Sequence, residues 1–219
     1  MLDLHTHTLF SDGSYIPAEL ARRCSTVGYR AMAMTDHCDH SNIEFVLERI
    51  QTFCEGVGGS AHGVTIVPGC EITHVPPRLI PDLIGRARDL GAQVVLVHGE
   101  SPAEPVVEDT NRAAVEGGAD VVAHPGLIDE DVAAMAAEKG VSLEISARKG
   151  HSLANGHVAQ IARECGASLS FGSDGHSGGD YPSPERARFI AQCAGLEPDE
   201  IDAIFENNAR LLGVDPPGA

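Results

Sequence analysis

Short apolar runs of four to six residues alternate with longer amphipathic stretches almost to the end of the chain. The runs fall at 2–5, 31–35, 64–68, 93–98, 120–124, 141–145 and 168–172, and most consist of β-branched or small apolar residues. Such runs, without polar alternation, predict parallel strands buried on both faces. The stretches between them predict helices, the first opening at Pro17 and closed by Gly28, with proline just inside the start and glycine past the end. Further helices are expected over 42–54, 80–90, 105–116, 130–139, 156–165 and 184–193, and a last one over 198–212. Seven strand-then-helix units imply a right-handed parallel α/β structure, either an open sheet or a closed barrel.

The polar residues at the strand ends choose between these. The seven strands end in His5 and His7, Asp36-His37, Glu71, His98, His124, Glu144, and Asp174 with His176. Side chains from nearly every strand can meet at one point only if the strand ends form a ring. That predicts a barrel with its chemistry at the C-terminal face. No linker, repeat or low-complexity segment divides the chain, so one domain is expected over 1–214, with 215–219 a frayed tail.

His5 and His7 are two residues apart, and alternation along a strand turns both to one side. Two imidazoles forced together repel if protonated and waste polar groups if buried; a divalent cation relieves both problems. Asp174-Gly175-His176 repeats this spacing after the seventh strand. The candidate metal ligands are therefore His5, His7, Asp12, His37, Glu71, His98, His124, Asp174 and His176. Asp12 also fits an ordinary Ser11-Asp12-Gly13 turn. Nine nitrogen and oxygen donors suit zinc, manganese or iron and exceed what one four- to six-coordinate ion requires, so two or three ions are expected.

Composition narrows the partners. Hydrophobic residues make up 42% of the 219, enough for a full core. The formal net charge of −17 argues against long nucleic acid, which needs clustered Lys and Arg. The six cysteines show no C-x-x-C spacing and read as small buried thiols in a reducing compartment. No apolar run approaches the roughly 18 residues of a membrane span, and the N-terminus shows no signal-peptide pattern, so a cytoplasmic protein is expected.

Asp3-Leu4-His5-Thr6-His7, Ser11-Asp12-Gly13, Thr35-Asp36-His37, Pro68-Gly69-Cys70-Glu71, Val97-His98-Gly99, Ala123-His124-Pro125 and Gly172-Ser173-Asp174-Gly175-His176 follow one another from residue 3 to 176. Together these motifs resemble the PHP (polymerase and histidinol phosphatase) family. The resemblance implies a distorted (β/α)7 TIM-like barrel holding up to three metals. It implies one ion on His5, His7, Glu71 and Asp174, and a second that shares Glu71 with His98 and His124. A third would lie on Asp12, His37 and His176, although some phosphatases of the family place a histidine near position 12. Asp36 would orient an imidazole from behind.

The expected reaction is hydrolysis of a small phosphomonoester, with histidinol phosphate the family's best-known substrate. A water bridging two divalent ions ionises near neutral pH, and the ions clamp the developing charge. Glu71 would set the metal spacing, and Asp174 or His176 would protonate the leaving group. Arg148-Lys149 directly follows the sixth strand and offers cations for substrate phosphate. His40, His151 and His157 read as solvated loop residues, and His62 and His74 as surface ones. Glu100 and Arg112 fit the rim, a helix cap or salt bridges equally. Cys38 and Cys70 adjoin ligands in sequence, but alternation turns them away. Two other readings stand beside the phosphatase: a nuclease or nucleotide phosphodiesterase, and a metal-binding regulatory domain without turnover. The nine-donor set weighs against the latter, and the absence of Trp with only 4% aromatics weighs against long single strands.

Overall fold

The computed structural model describes residues 1–216. Its main strands are β1 (Leu2–Asp3), β2 (Ala31–Met34), β3 (Val64–Ile72), β4 (Val94–His98), β5 (Val121–Ala123), β6 (Ser142–Ser146) and β7 (Leu169–Gly172). Each pairs in parallel with the next in chain order. The ring closes between β7 and β1 through a single parallel bridge from Thr6 to Gly175. There the His7 N–H donates to Gly175 O at 3.0 Å and the Asp174 N–H to His5 O at 2.9 Å. This is the expected distorted seven-stranded barrel. Two short segments lie outside the ring order: His37–Cys38 runs parallel beside β3, and Ser60–Ala61 folds back against it.

Among the described residues, eight α-helices surround the strands: α1 (Pro17–Thr26), α2 (Ile43–Gly56), α3 (Ile80–Asp89), α4 (Thr110–Gly117), α5 (Glu130–Lys139), α6 (Asn155–Cys165), α7 (Pro184–Cys193) and α8 (Pro198–Leu212). The chain departs furthest from the sequence reading at two places. α4 begins at Thr110, five residues late, because Asp109 adopts a left-handed φ of 69° that no right-handed helix can include. β3 runs on to Ile72, which places Glu71 within a strand and not beyond its end. Of the expected frayed tail, Asp215 and Pro216 are exposed and residues 217–219 lie outside the described residues.

Strand alternation sorts the apolar residues into two layers. One side of each strand, with Met32, Cys70, Val95, Val122 and Leu143, packs against the helices in the larger core. The other side, with Leu4, Ala33, Val67, Leu96 and Ala123, fills the barrel interior, and Ala209 and Leu212 of α8 join it. Large side chains buried this way stabilise the fold by roughly 1.5–3 kcal/mol each. The same alternation carries Val67 to Glu71 and Leu96 to His98, so the residues that fill the barrel and those that crown it share one face. Cys38 and Cys70 belong to the outer layer, turned away from the crown as alternation predicts. No helix of the described residues is long and apolar enough to cross a membrane.

Candidate functional site

All nine candidate ligands converge at the C-terminal ends of the strands. Glu71 is the hub. Its Oε2 lies 3.4 Å from His5 Nε2, 3.7 Å from His7 Nε2 and 2.6 Å from His37 Nδ1. Its Oε1 lies 3.1 Å from His98 Nδ1 and 3.5 Å from His124 Nε2. Asp174 faces it from β7's end, with Oδ1 3.3 Å from His7 Nε2 and Oδ2 3.8 Å from His124 Nε2. Asp12 gathers the outer group, its Oδ1 standing 3.0 Å from His176 Nε2 and 3.5 Å from His37 Nε2.

Local backbone geometry aims several of these groups. His124 and Asp174 sit at positive φ, 30° and 51°, a conformation that costs a residue with a side chain on the order of 1–3 kcal/mol. Hydrogen bonds hold both: the His124 N–H donates to Glu144 Oε2 at 2.8 Å, and the Asp174 N–H to His5 O. Glu144 also lies 2.8 Å from His5 Nδ1 through Oε1, which leaves His5 Nε2 facing Glu71 and Asp174. Gly172 makes room for this pair, since a Cβ there would run into the Glu144 carboxylate and His5 Cβ.

Asp36 has a different task from the one expected of it. Its carboxylate accepts from the Thr8 N–H and hydroxyl at 2.9 and 2.8 Å, and from the Ser11 N–H and hydroxyl at 3.0 and 2.6 Å. It therefore holds the 8–11 turn that delivers Asp12, and it orients no imidazole. Four donors satisfy one carboxylate, which is how a buried Asp is tolerated.

The electrostatics divide the histidines. Burial would lower the His5 ring, but Glu144, Glu71 and Asp174 outweigh it and hold it well above the usual value. His37 is likewise opposed by burial and pushed up to about 9 by Glu71 and Asp12. His7 goes the other way, to about 3, because burial dominates and His37 and His5 add repulsion. Burial works against ionised Glu71, yet His5, His37 and His98 keep its carboxyl well below the usual range. His7 is thus neutral at neutral pH, wholly buried, and without a hydrogen bond at either ring nitrogen.

Among the described residues, five buried imidazole nitrogens lack a hydrogen-bond partner: His5 Nε2, both nitrogens of His7, His98 Nε2 and His124 Nδ1. Each such group costs about 1–3 kcal/mol when left unmade. The donors fall into compact groups that can hold a metal ion, among them His7-Asp12-His37-His176, His5-His7-Glu71 and His37-Glu71-His98. The residues fit divalent metal ions, because lone pairs that have no proton donor are what such ions take up.

The remaining expectations divide. Arg148 reaches the site, donating to Asp174 O at 2.9 Å with Nε 3.6 Å from Asp174 Oδ2, whereas Lys149 is exposed and pairs with none of these groups. His151 is buried, not solvated: Nδ1 lies 2.6 Å from the Ser101 hydroxyl, and Nε2 faces Glu104 and Asp174. His157, half-buried, bonds to Ile128 O away from the cluster. His40 and His62 are exposed. His74 is exposed too but borders the site, with Nε2 3.2 Å from Glu104 Oε2. Glu100 accepts from the Asn111 N–H in the first turn of α4, and Arg112 pairs with Asp131 and Asp109, so neither belongs to the site. Two carboxylates join the site beyond the nine candidate ligands, Glu144 and Glu104. Glu144 was visible as the polar end of β6, in step with the other strand-end residues. Glu104 lies on an irregular loop, where no periodicity marks it.

Comparison with known proteins places the same residues in a family. The PHP domain model matches residues 3–193. The chain is 42% identical over 201 residues to an uncharacterized protein of Methanocaldococcus jannaschii, covering 91% of this chain and 92% of that one. It is 30% identical over 226 residues to a probable phosphatase of Shewanella sp. (strain ANA-3), covering 91% and 86%. Among solved structures, N-acetyl-D-glucosamine-6-phosphate deacetylase from Mycobacterium smegmatis superposes with a TM-score of 0.63 at 18% identity, over 98% of this chain and 76% of that one, which is a likeness of fold.

Proposed function

Because this chain belongs to the PHP domain family, we propose that it is a metal-dependent hydrolase that cleaves phosphomonoesters of small molecules. One observation carries the reading: the buried, unpartnered Nε2 atoms of His5 and His7 converge on the carboxylates of Glu71 and Asp174, with His98 and His124 against the other oxygen of Glu71. The likeness to a probable phosphatase favours a phosphate ester as the substrate. His5, His7, Glu71 and Asp174 would hold one ion, Glu71, His98 and His124 a second, and Asp12, His37 and His176 a third. Divalent zinc, manganese or iron bound there would neutralise charge on the phosphoryl oxygens and lower the pKa of the attacking water.

The chain's own residues do the rest. Glu71 divides its two oxygens between the His5/His7 side and the His98/His124 side, and so would contribute to both of the first two ions. Glu144 fixes the His5 ring. Asp36 fixes the turn that carries Asp12. Arg148, whose side chain is 32% exposed beside Asp174, offers its free guanidinium edge to the substrate phosphate. Asp174 and His176 stand next to Arg148, the position from which a proton would reach the leaving oxygen.

The test is metal analysis of the purified protein together with a turnover screen over histidinol phosphate, nucleotides and sugar phosphates. Bound zinc, manganese or iron with metal-stimulated release of phosphate is the expected result. Protein with no bound metal and no metal-stimulated turnover would overturn the reading. Arg148→Ala should lower kcat/KM about 10- to 100-fold, the loss of one charge-assisted contact of roughly 1.5–3 kcal/mol, with metal content unchanged. Equal kcat/KM in that variant would remove Arg148 from phosphate binding and leave the metal site standing.

A further inference from the structure

Glu104 stands where three imidazoles meet, yet it lies on the irregular segment between β4 and α4 and on no strand end. Its Oε2 is 3.2 Å from His74 Nε2 and 3.3 Å from His98 Nε2, and its Oε1 is 3.5 Å from His151 Nε2. Of the three rings, His98 is the one whose facing nitrogen is buried and without a hydrogen bond. His98 therefore has carboxylates on both sides: Glu71 Oε1 3.1 Å from Nδ1, and Glu104 Oε2 beyond Nε2.

A neutral imidazole has one lone pair and one N–H, so it can ligate an ion through one nitrogen only. The inner nitrogen, Nδ1, shares Glu71 Oε1 with His124 Nε2, and the His98, Glu71 and His124 side chains are 3%, 1% and 1% exposed. On the outer side, His74 and Glu104 are 44% and 39% exposed. The inner position combines burial, a second imidazole and the Asp174 carboxylate near His124, and it is the better place for an ion. An ion on Nδ1 moves the His98 proton to Nε2, which then needs an acceptor.

We infer that Glu104 is a positioning residue: it accepts the Nε2–H of His98, so that Nδ1 is turned with its lone pair toward the ion shared with Glu71 and His124. Carboxylates behind metal-binding imidazoles act in this way, and losing one typically weakens metal binding 10- to 100-fold. Glu144 occupies the corresponding place behind His5, so two of the three ions would each have one such partner. His151 is held toward Glu104 by the Ser101 hydroxyl, which keeps the carboxylate at the rim. This inference rests on the metal-binding reading of the site.

The experiment is titration of metal-free full-length protein with Zn2+ or Mn2+, followed by calorimetry and by metal content at saturation. The variants are Glu104→Ala, Glu104→Gln and His74→Ala. Glu104→Ala should weaken one ion about 10- to 100-fold while the number bound at saturation stays that of the wild type. Glu104→Gln, whose amide oxygen still accepts a hydrogen bond, should recover most of that loss, and His74→Ala should bind like the wild type. Unchanged affinity in Glu104→Ala overturns the inference. So does the loss of one whole ion from both Glu104→Ala and His74→Ala, which would place an ion on the outer side instead. Wild-type protein that takes up no ion overturns the metal-binding reading and this inference with it, whereas a failed Glu104 series with metal in the wild type overturns this inference alone. Thermal unfolding of the metal-free variants checks that the fold is intact.

Discussion

At Gly172 the chain leaves β7 with no side chain, and the space is taken by His5 and Glu144. A methyl group there meets a carboxylate and a ring that are themselves fixed, so the clash cannot be relieved by a flexible tip. Gly172→Ala should destabilise the metal-free protein by about 1–3 kcal/mol, read as a lower midpoint in urea unfolding, and should reduce the metal bound at saturation. Wild-type stability and wild-type metal content in this variant would show that His5 and Glu144 are not as tightly set as their 2.8 Å contact indicates. Other single residues work at the same scale. Asp3 accepts from the His5 and Ser173 N–H groups at 3.1 and 3.0 Å and from the Tyr29 hydroxyl at 2.9 Å, tying β1 to β7 beneath the site.

Between elements, the seam of the barrel is the special feature. β1 and β7 share one bridge where other neighbours share ladders, so unpaired backbone groups at their lower ends must be met otherwise. Asn208 of α8 meets them. Its Oδ1 accepts from the Phe171 N–H at 3.1 Å, and its Nδ2 donates to Leu2 O at 3.1 Å and Phe171 O at 2.8 Å. Helix α8 thus does more than follow the seventh unit: it stoppers the barrel with Ala209 and Leu212 and sews the first strand to the last. Asn208→Ala leaves buried backbone groups of both strands unpaired and should cost about 2–4 kcal/mol, each lost partner counting roughly 1 kcal/mol or more. Chemical denaturation with an unchanged m-value checks this, and a loss below about 0.5 kcal/mol, the scatter of surface substitutions, would show that water replaces the side chain.

For the whole molecule, the net charge of −17 and the crowded crown oppose folding together. Divalent ions should relieve the crown, and monovalent salt the surface. At a free-metal concentration about 100 times the Kd, binding adds about 2.7 kcal/mol for one site. Chelation should therefore lower Tm, and restoring metal should return it; a Tm indifferent to chelator would mean that the native protein holds no ion. Raising salt toward about 1 M, where the screening length is near 3 Å, should raise the Tm of the metal-free protein because surface self-repulsion dominates. A fall in Tm would show that attractive pairs such as Arg163–Glu200 and Arg188–Asp202 outweigh it.

The sequence by itself determined the order of the elements, the barrel and the nine nitrogen and oxygen donors that converge at its mouth. Those follow from local rules: period-two burial along strands, helix periodicity, and polar residues recurring at strand ends. α5, α7 and α8 begin and end where the pattern places them, because Asp129, Ser183 and Glu197 precede clear helical runs. Tertiary structure alone decided what stands behind these donors. Asp36 binds a turn instead of a ring, Glu104 arrives from an irregular loop, His151 is buried by Ser101, and Asn208 closes a seam between residues about 170 apart in the chain. Such contacts have no period. They depend on which segments the closed ring brings within a few ångströms, and only the folded ring sets that.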